Sequence, residues 1–131
     1  MRKLLSIAAF SLLAASASAM ASPAREANEA KLARALEGRV AGEPVRCINL
    51  RNVRSSRIID RTAILYDAGG TIYVNRPRGG GESLDRWDTL VTRLHSSQLC
   101  SIDIVNLFES GSNIQTGFVS LGEFVPYRKP R

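Results

Sequence analysis

The sequence predicts a small, mainly β domain: an antiparallel barrel or sandwich of about six strands with a short helix before it. Short runs of β-branched and aromatic residues alternate with turns rich in Gly, Asp and Ser, which is the pattern of an all-β fold. The chain has 131 residues, the size of one domain with a modest core. Its only two cysteines can pair in one way.

A secretory signal peptide is predicted at the start of the chain. Arg2 and Lys3 are followed by a mainly apolar stretch, residues 4–15, which is shorter than the 20 or so residues that a membrane-spanning helix needs. Residues 17–19 (Ala-Ser-Ala) then provide the small side chains of a cleavage site, and a second cut is possible after Ala21. The alternative is an uncleaved anchor helix. We expect a periplasmic or secreted protein with no transmembrane segment in its mature form.

Removal of residues 1–19 changes the domain scheme and the charge. The remaining 112 residues carry a net charge of +4, because two basic residues leave a chain whose formal charge is +6. We assign residues 22–42 to a helical lead-in and residues 43–131 to a single β domain. Outside the cytoplasm a basic protein meets phosphate mainly on lipid headgroups and glycans, so no nucleic-acid partner is expected.

Residues 22–38 are predicted to contain the helix. Ser22 is a good N-cap, Pro23 suits the first helical position, and Gly38 stands where a helix would end. The apolar stripe of this segment is narrow and consists of Ala27, Ala30, Leu32, Ala33 and Leu36. A short helix with so little apolar surface is marginal alone, so we expect it either to dock loosely or to act as a tether.

The strands are predicted after Pro44. The segments with strand composition or alternation are residues 45–50, 62–66, 71–75, 90–94, 102–108, 115–121 and 124–127. Residues 67–70 (Asp-Ala-Gly-Gly) give the strongest hairpin signal, and residues 110–113 form another turn. The glycine-rich run at residues 76–81 lacks the spacing of a phosphate-binding loop, and we interpret it as a flexible loop.

Cys47 and Cys100 are predicted to form a disulfide. An even number of cysteines in an exported chain favours pairing, and a loop of this length would stabilise the fold by about 4 kcal/mol through the unfolded state. Two separate buried thiols are the alternative. There is no C-x-x-C motif, and His95 is the only histidine, so we expect no redox site, no metal and no cofactor.

Few residues could support catalysis. His95 lies beside serines, but no nucleophile motif or orienting acid accompanies it. Asp85 and Asp88 lie close to Trp87, an arrangement that glycosidases use only when a cleft separates the carboxyls. We interpret Trp87 as a packing residue of the core or of its rim. The sequence therefore predicts no catalytic residues, and we expect a protein that is not an enzyme.

The basic cluster is the most informative feature. Arg51, Arg54, Arg57 and Arg61 recur every three or four residues, and Arg46, Arg76 and Arg78 lie nearby. Guanidinium groups bind phosphate and carboxylate in bidentate fashion, so these four arginines are candidate anion-binding residues. The alternative is a solvated face that keeps a small protein soluble.

Four stretches of the mature chain resemble a family of small exported proteobacterial proteins, of the sphingomonad type, known only as a domain of unknown function. They are Gly38-Arg39-Val40-Ala41-Gly42-Glu43-Pro44-Val45-Arg46-Cys47-Ile48, Ile72-Tyr73-Val74-Asn75-Arg76-Pro77, Ser97-Gln98-Leu99-Cys100-Ser101-Ile102-Asp103-Ile104-Val105 and Leu121-Gly122-Glu123-Phe124-Val125-Pro126-Tyr127. The resemblance implies export and a small β-rich domain. It implies no activity.

The chain departs from that family at two places. Many similar sequences carry two further cysteines, one near the glycine-rich loop and one just before the Leu-Gly near the C-terminus. Ser83 or a neighbour, and Ser120, occupy those places here. Their joint loss is what the loss of a second disulfide would look like, and it leaves Cys47 and Cys100 as the pair.

We therefore expect an exported binding domain whose ligand is an envelope component or another anion, with lipid or glycan phosphate as the candidate partners. A protein-directed inhibitor of the lysozyme-inhibitor kind is the alternative, based on size, strand pattern and the turn at residues 110–112. A basic inhibitor would repel a basic lysozyme, which argues against it. A hydrolase using Asp85, Asp88 or His95 is the weakest hypothesis. The sequence does not identify the partner or the oligomeric state.

Overall fold

The computed structural model describes residues 22–131, and the predicted signal peptide lies outside this range. In the described part, one helix, α1 (Pro23–Ala35), precedes ten strands. The strands are β1 (Val40–Ala41), β2 (Cys47–Asn49), β3 (Ser55–Ile59), β4 (Ala63–Asp67), β5 (Thr71–Asn75), β6 (Asp88–Val91), β7 (Gln98–Cys100), β8 (Ile104–Glu109), β9 (Gln115–Ser120) and β10 (Phe124–Arg128). Short 3₁₀ turns lie at Leu50–Asn52 and Gly81–Ser83.

The strands form three antiparallel sheets. A five-stranded sheet has the order β1-β10-β5-β4-β3, a three-stranded sheet has the order β6-β8-β9, and β2 pairs with β7 in a two-stranded ribbon. Within residues 22–131 these sheets stack like a sandwich and do not close into a barrel. The prediction of a mainly β fold with a short N-terminal helix is confirmed, with ten strands where the sequence predicted about six.

Three of the strands were not predicted from the sequence: β1, β3 and β7. β1 has two residues and β7 has three, which is too short for any periodicity to show. β3 begins Ser-Ser-Arg, and these three residues are exposed. Strands of this kind form because a neighbouring strand offers backbone partners, and that tertiary context is not visible in the segment itself.

The predicted hairpin of β4 and β5 is present. Asp67 pairs with Ile72 at its end, and the Asp67 carboxylate accepts the N–H of Gly69 at 2.8 Å. Gly69 has a positive φ of 84°, which a glycine adopts without strain. The turn chemistry therefore determines the register of the hairpin locally.

α1 docks on the outer face of the five-stranded sheet. Ser22 caps it, its hydroxyl accepting the N–H of Arg25 at 3.3 Å. Leu32 and Leu36 are buried against side chains of the sheet, among them Leu65 and Val74. Of the two alternatives for this helix, docking is therefore the one observed. The lead-in also supplies β1, which pairs with β10 and so belongs to the same sheet as the β domain.

The main core lies between the sheets. It is built from Ile48, Ile58, Ile64, Tyr66, Leu84, Leu99, Val105, Leu107, Val119, Leu121 and Phe124. The rings of Tyr66 and Phe124 meet edge to face at 5.8 Å. Asn75 is the buried polar residue of the described chain, and its amide exchanges hydrogen bonds of 2.7 and 2.9 Å with the backbone of Gly122. Every sheet contributes to one shared interior.

The disulfide between Cys47 and Cys100 is present, which confirms the predicted pairing. The two residues lie directly opposite each other in the ribbon of β2 and β7. Ile48 and Leu99, their neighbours in the ribbon, are buried in the main core. The covalent bond therefore joins two short strands that have few backbone hydrogen bonds of their own.

The glycine-rich loop packs against β9, where the sequence analysis expected a flexible loop. A Cβ on Gly80 would clash with the carbonyl oxygen of Phe118, so glycine permits a close backbone approach. Gly79 forms a β-bridge with Ser120. The Arg78 guanidinium donates to the carbonyl oxygen of Leu121 at 2.9 Å. The glycines of this loop allow its backbone to pack closely against β9.

Between Ser22 and Arg131, no helix combines the length and the apolar character that crossing a bilayer requires.

Candidate functional site

A groove lined by basic residues lies between α1, β3 and β6, and its cavity volume is about 550 Å³. Four cationic side chains line it: Lys31 and Arg34 from α1, Arg57 from β3, and Arg86 from the segment before β6. We call this cavity the basic groove.

The floor of the basic groove is the edge of a strand. Residues 56–60 of β3 and its turn line the groove consecutively, as do residues 88–90 of β6. Neighbouring side chains of a strand point to opposite faces, so consecutive residues can line one cavity only along the backbone edge. Within residues 22–131, β3 pairs with β4 alone and β6 with β8 alone. The groove therefore lies between two strand edges that have no partner in the described chain.

The cations of the groove converge from two elements. Arg57 lies on the same face of β3 as Ile59, which packs with α1 in the outer cluster. Lys31 and Arg34 are three residues apart on α1 and therefore share one face of the helix. The docking of α1 over the sheet thus brings Lys31 and Arg34 beside Arg57.

Three of these cations lack a carboxylate partner. Two ion pairs exist in the described residues, Arg76 with Glu29 and Arg86 with Asp60. Asp60 accepts the backbone N–H of Arg86 at 2.7 Å, and its carboxylate lies 3.7 Å from the guanidinium Nε. Lys31, Arg34 and Arg57 therefore face the groove with no carboxylate of residues 22–131 within ion-pair distance.

One end of the groove is closed and the other leads to an apolar pocket. At the closed end the N–H of Arg61 donates to the carbonyl oxygen of Leu84 at 3.0 Å, beside the pair of Asp60 and Arg86. At the other end, Ser56 and Leu90 line both the groove and a second cavity of about 230 Å³.

The apolar pocket is lined by Leu50, Val53, Ser56, Tyr66, Leu90, Thr92, Leu94 and Leu99. Burial raises the pKa of Tyr66 above its ordinary value, because desolvation disfavours the phenolate. The residues that line this pocket carry no charge and five of the eight are aliphatic, whereas the adjoining groove is basic. Together they form an elongated cavity with one charged part and one apolar part.

The predicted arginine cluster does not assemble. Arg51 lies in a 3₁₀ turn, Arg54 contacts the β4–β5 turn near Gly69, and Arg61 lies at the far end of β3 in the next turn. Only Arg57 lines the basic groove. A spacing of three or four residues places side chains on one face of a helix, but this segment is a strand that advances about 3.3 Å per residue.

Two of the outlying arginines support the fold. Arg76 makes two hydrogen bonds of 2.7 and 2.9 Å to the carboxylate of Glu29. This hydrogen bonding, together with the positive charge of Arg76, holds the pKa of Glu29 below its usual range, while partial burial opposes the shift. Arg78 is held by backbone carbonyls. Arg46 is exposed.

Three residues of the groove were not predicted from the sequence as site residues: Lys31, Arg34 and Arg86. The spacing of Lys31 and Arg34 on a predicted helix was a usable signal that they share a face. Their proximity to Arg57 was not predictable, because it depends on where α1 docks and on the existence of β3.

One cavity of about 370 Å³ is lined by Asp85, Trp87 and Asp88 together with Glu109, and His95 lies outside it. His95 is exposed between β6 and β7. Asp85 accepts the backbone N–H of Trp87 at 2.9 Å, and Asp88 accepts the hydroxyl of Thr116 at 2.6 Å. Trp87 is 72% exposed, so it is not a core residue. The Arg86 guanidinium lies 5.6 Å from its ring centre.

The other proposed features also have clear positions. The turn at residues 110–112, which motivated the inhibitor hypothesis, is exposed between β8 and β9. In residues 22–131, no three side chains of His, Cys, Asp or Glu are grouped in the way that a metal site requires.

No family model matches the chain, and neither a curated protein nor a solved structure matches it. The resemblance to a family of small exported proteins therefore stays a prediction.

Proposed function

We propose that this protein is an exported, non-enzymatic binding domain whose ligand presents negative charge to the basic groove. The observation that carries the proposal is the convergence of Lys31, Arg34 and Arg57 on one cavity without a carboxylate partner in residues 22–131. Like charges held close together repel, and a bound anion removes that cost.

The chemistry of the groove suits an oxyanion. Guanidinium groups donate parallel hydrogen bonds to carboxylate or phosphate, and such charge-assisted bonds are stronger than neutral ones. Because the groove is partly enclosed, solvent screens these contacts less than it would on an open surface. Arg86 is already paired with Asp60, so the three remaining cations are the ligand-binding groups of the proposal.

Export is supported by two independent features. The leader pattern at residues 1–19 is that of a secretory signal peptide, and the Cys47–Cys100 disulfide is of a kind that persists in oxidising compartments. The anion would then be met in the envelope or outside the cell, as a lipid headgroup, a glycan phosphate or an acidic protein segment.

The absence of catalysis in this proposal rests on what the candidate residues do. Asp85 and Asp88 are hydrogen-bonded to neighbouring groups, and the serines beside His95 belong to no nucleophile motif and have no orienting acid in the sequence neighbourhood. Arginine and lysine alone can hold an anion but supply no base near neutral pH.

The proposal is tested with two triple variants that lose the same charge. One combines Lys31→Gln, Arg34→Gln and Arg57→Gln in the groove, and the control combines Arg46→Gln, Arg51→Gln and Arg93→Gln on exposed sites outside it. We expect the groove variant to bind labelled polyglutamate and phosphatidylglycerol vesicles at least about tenfold more weakly than the wild type, because three charge-assisted contacts are lost.

The control variant should bind within about twofold of the wild type, since its loss of charge acts only through long-range attraction. Fluorescence anisotropy for the peptide and vesicle co-sedimentation for the lipid give both numbers. Equal weakening of the two variants would mean that overall charge, and not the groove, attracts anions. That result would remove the proposal.

A further inference from the structure

The basic groove has a feature that an anion alone would not use. Its walls include the free backbone edges of β3 and β6. An edge strand presents N–H and C=O groups that bind water until another strand pairs with them. An isolated phosphate or a lipid headgroup would engage the cations but would leave both edges without strand partners.

We propose that the ligand of the basic groove is an extended, acidic segment of a partner protein, which adds as a strand between β3 and β6. This inference rests on the proposed function, because it assumes that the groove binds anions. Strand addition is a common way to bind peptides: backbone hydrogen bonds give affinity, and alternate side chains give specificity. Since β3 has five residues, it can pair with a segment of about five residues.

The direction of the two walls determines how the segment would join the sheets. β3 runs towards the closed end, where its turn residue Asp60 meets Arg86, and β6 runs away from that end. The two edges are therefore oppositely directed, and an inserted strand would be antiparallel to one and parallel to the other. It would connect the five-stranded and three-stranded sheets through backbone hydrogen bonds along one side of the sandwich.

The two faces of the groove determine the sequence pattern of the segment. Side chains pointing towards α1 would meet Lys31, Arg34 and Arg57, so they should be acidic. Side chains pointing the other way would lie on the side of Ile58 and Leu90, next to the apolar pocket, so they should be apolar. Because strand side chains alternate between faces, the pattern is acidic and apolar residues in alternation.

A second copy of this chain does not fit the same site. Pairing β3 with β3 of another molecule around a twofold axis would bring Arg57 and its basic neighbours towards the same residues of the copy, and like charges facing each other across strands are destabilising. The same cations therefore protect the edge from self-association and select an acidic partner.

The test uses three peptides of equal charge and the purified protein. The first is acetyl-Glu-Val-Glu-Val-Glu-amide, the second is its isomer acetyl-Glu-Glu-Glu-Val-Val-amide, and the third is the first peptide with both valine amides N-methylated. We expect the alternating peptide to bind at least about tenfold more tightly than either control, since the isomer loses the alternation and methylation removes backbone donors. Calorimetry or anisotropy measures the three affinities.

Amide hydrogen exchange supplies a second readout. The alternating peptide should slow exchange at outward-facing amides of Ser55–Ile59 and Asp88–Val91, whereas inorganic triphosphate should leave these amides unchanged. The groove variant with Lys31→Gln, Arg34→Gln and Arg57→Gln keeps both strand edges. It should nevertheless bind the alternating peptide more weakly, because its three positive charges are missing.

Three results would overturn the inference. Equal affinity for all three peptides, with displacement by triphosphate, would show that the groove recognises negative charge without strand pairing. The proposed function would then stand without this inference. Tighter binding to phosphatidylglycerol vesicles than to the alternating peptide, with no protection of the β3 amides by that peptide, would identify a lipid ligand in place of a strand. If the wild type bound no anionic probe better than the groove variant does, the inference and the proposed function would both fail.

Discussion

The five-stranded and three-stranded sheets share one core but differ on their outer faces. In the five-stranded sheet, β4 is buried from Ala63 to Tyr66, because α1 covers the face that turns away from the core. The outer face of the three-stranded sheet has no such cover in the described chain. Its apolar side chains there are exposed, among them Phe118 at 55% and Ile104 at 51%.

The difference explains where the basic groove lies. α1 covers only one of the two sheets, so its side faces open space at the edge of the sandwich. The edge strand β3 lies beside α1 at this place. α1 forms one wall of the groove and carries Lys31 and Arg34, while β6 of the uncovered sheet forms the other wall. A helix on both sheets, or on neither, would not place cations beside a free strand edge in this way.

The largest effect on stability is expected when a Phe→Ala substitution in the shared core is compared with one on the outer face of the three-stranded sheet. Phe124→Ala removes a fully buried ring from the shared core and should lower the free energy of unfolding by about 3–5 kcal/mol. Phe118→Ala, on the uncovered face, should cost less than about 1 kcal/mol, since more than half of this residue already meets water. Urea unfolding followed by circular dichroism measures both. Similar losses would mean that the outer face of the three-stranded sheet is covered in solution.

The contact of α1 with its sheet gives a smaller effect with a functional consequence. Leu32→Ala should cost about 2–3 kcal/mol, because Leu32 is buried in the outer cluster. Any loosening of α1 also moves Lys31 and Arg34, so binding of polyglutamate should weaken although no cation is changed.

Ile104→Ala is the control for Leu32→Ala, as it shortens an exposed aliphatic side chain on the uncovered sheet. It should change stability by less than about 1 kcal/mol and leave polyglutamate binding unaltered. Weakened binding in this control, or unchanged binding in Leu32→Ala, would show that the position of α1 does not matter to the groove.

The smallest effect concerns pH. Arg76 lowers the pKa of Glu29 on α1, so the stability contributed by this carboxylate is present above the ordinary pKa near 4.5 and is lost as the pH falls through its lowered value in the folded protein. Because both side chains are more than a third exposed, solvent screening limits the contribution to less than about 0.5 kcal/mol. Glu29→Gln should reduce the melting temperature slightly at pH 7.

The difference in melting temperature between the wild type and Glu29→Gln should shrink on acidification and vanish once Glu29 is protonated in the wild type. Scanning calorimetry from pH 7 to pH 3 measures it. A difference that persists at the acidic end would show that the substitution acts through packing of α1 and not through charge. Glu123→Gln, at an exposed site without an ion pair in the described residues, controls for general effects of removing a carboxylate.

Several elements were determined by local sequence. Ser22 and Pro23 specify the start of α1, because capping needs only the next few residues. Thr71–Asn75 was predicted with its observed bounds, since the Asp-Ala-Gly-Gly turn and the β-branched residues act over a short range. The pair of Cys47 and Cys100 followed from a count of two and from an export leader.

Which residues line the basic groove depends on the tertiary structure. The four arginines of residues 51–61 were predicted as one anion-binding cluster, yet they are distributed over a 3₁₀ turn, β3 and the turns beside it, and only Arg57 lines the groove. β3 became an edge only because the sheet ends with it, and the groove exists only because α1 docks beside that edge. Local sequence determines which short elements can form, whereas packing of apolar faces distant in the chain decides which charges and backbone edges are brought together.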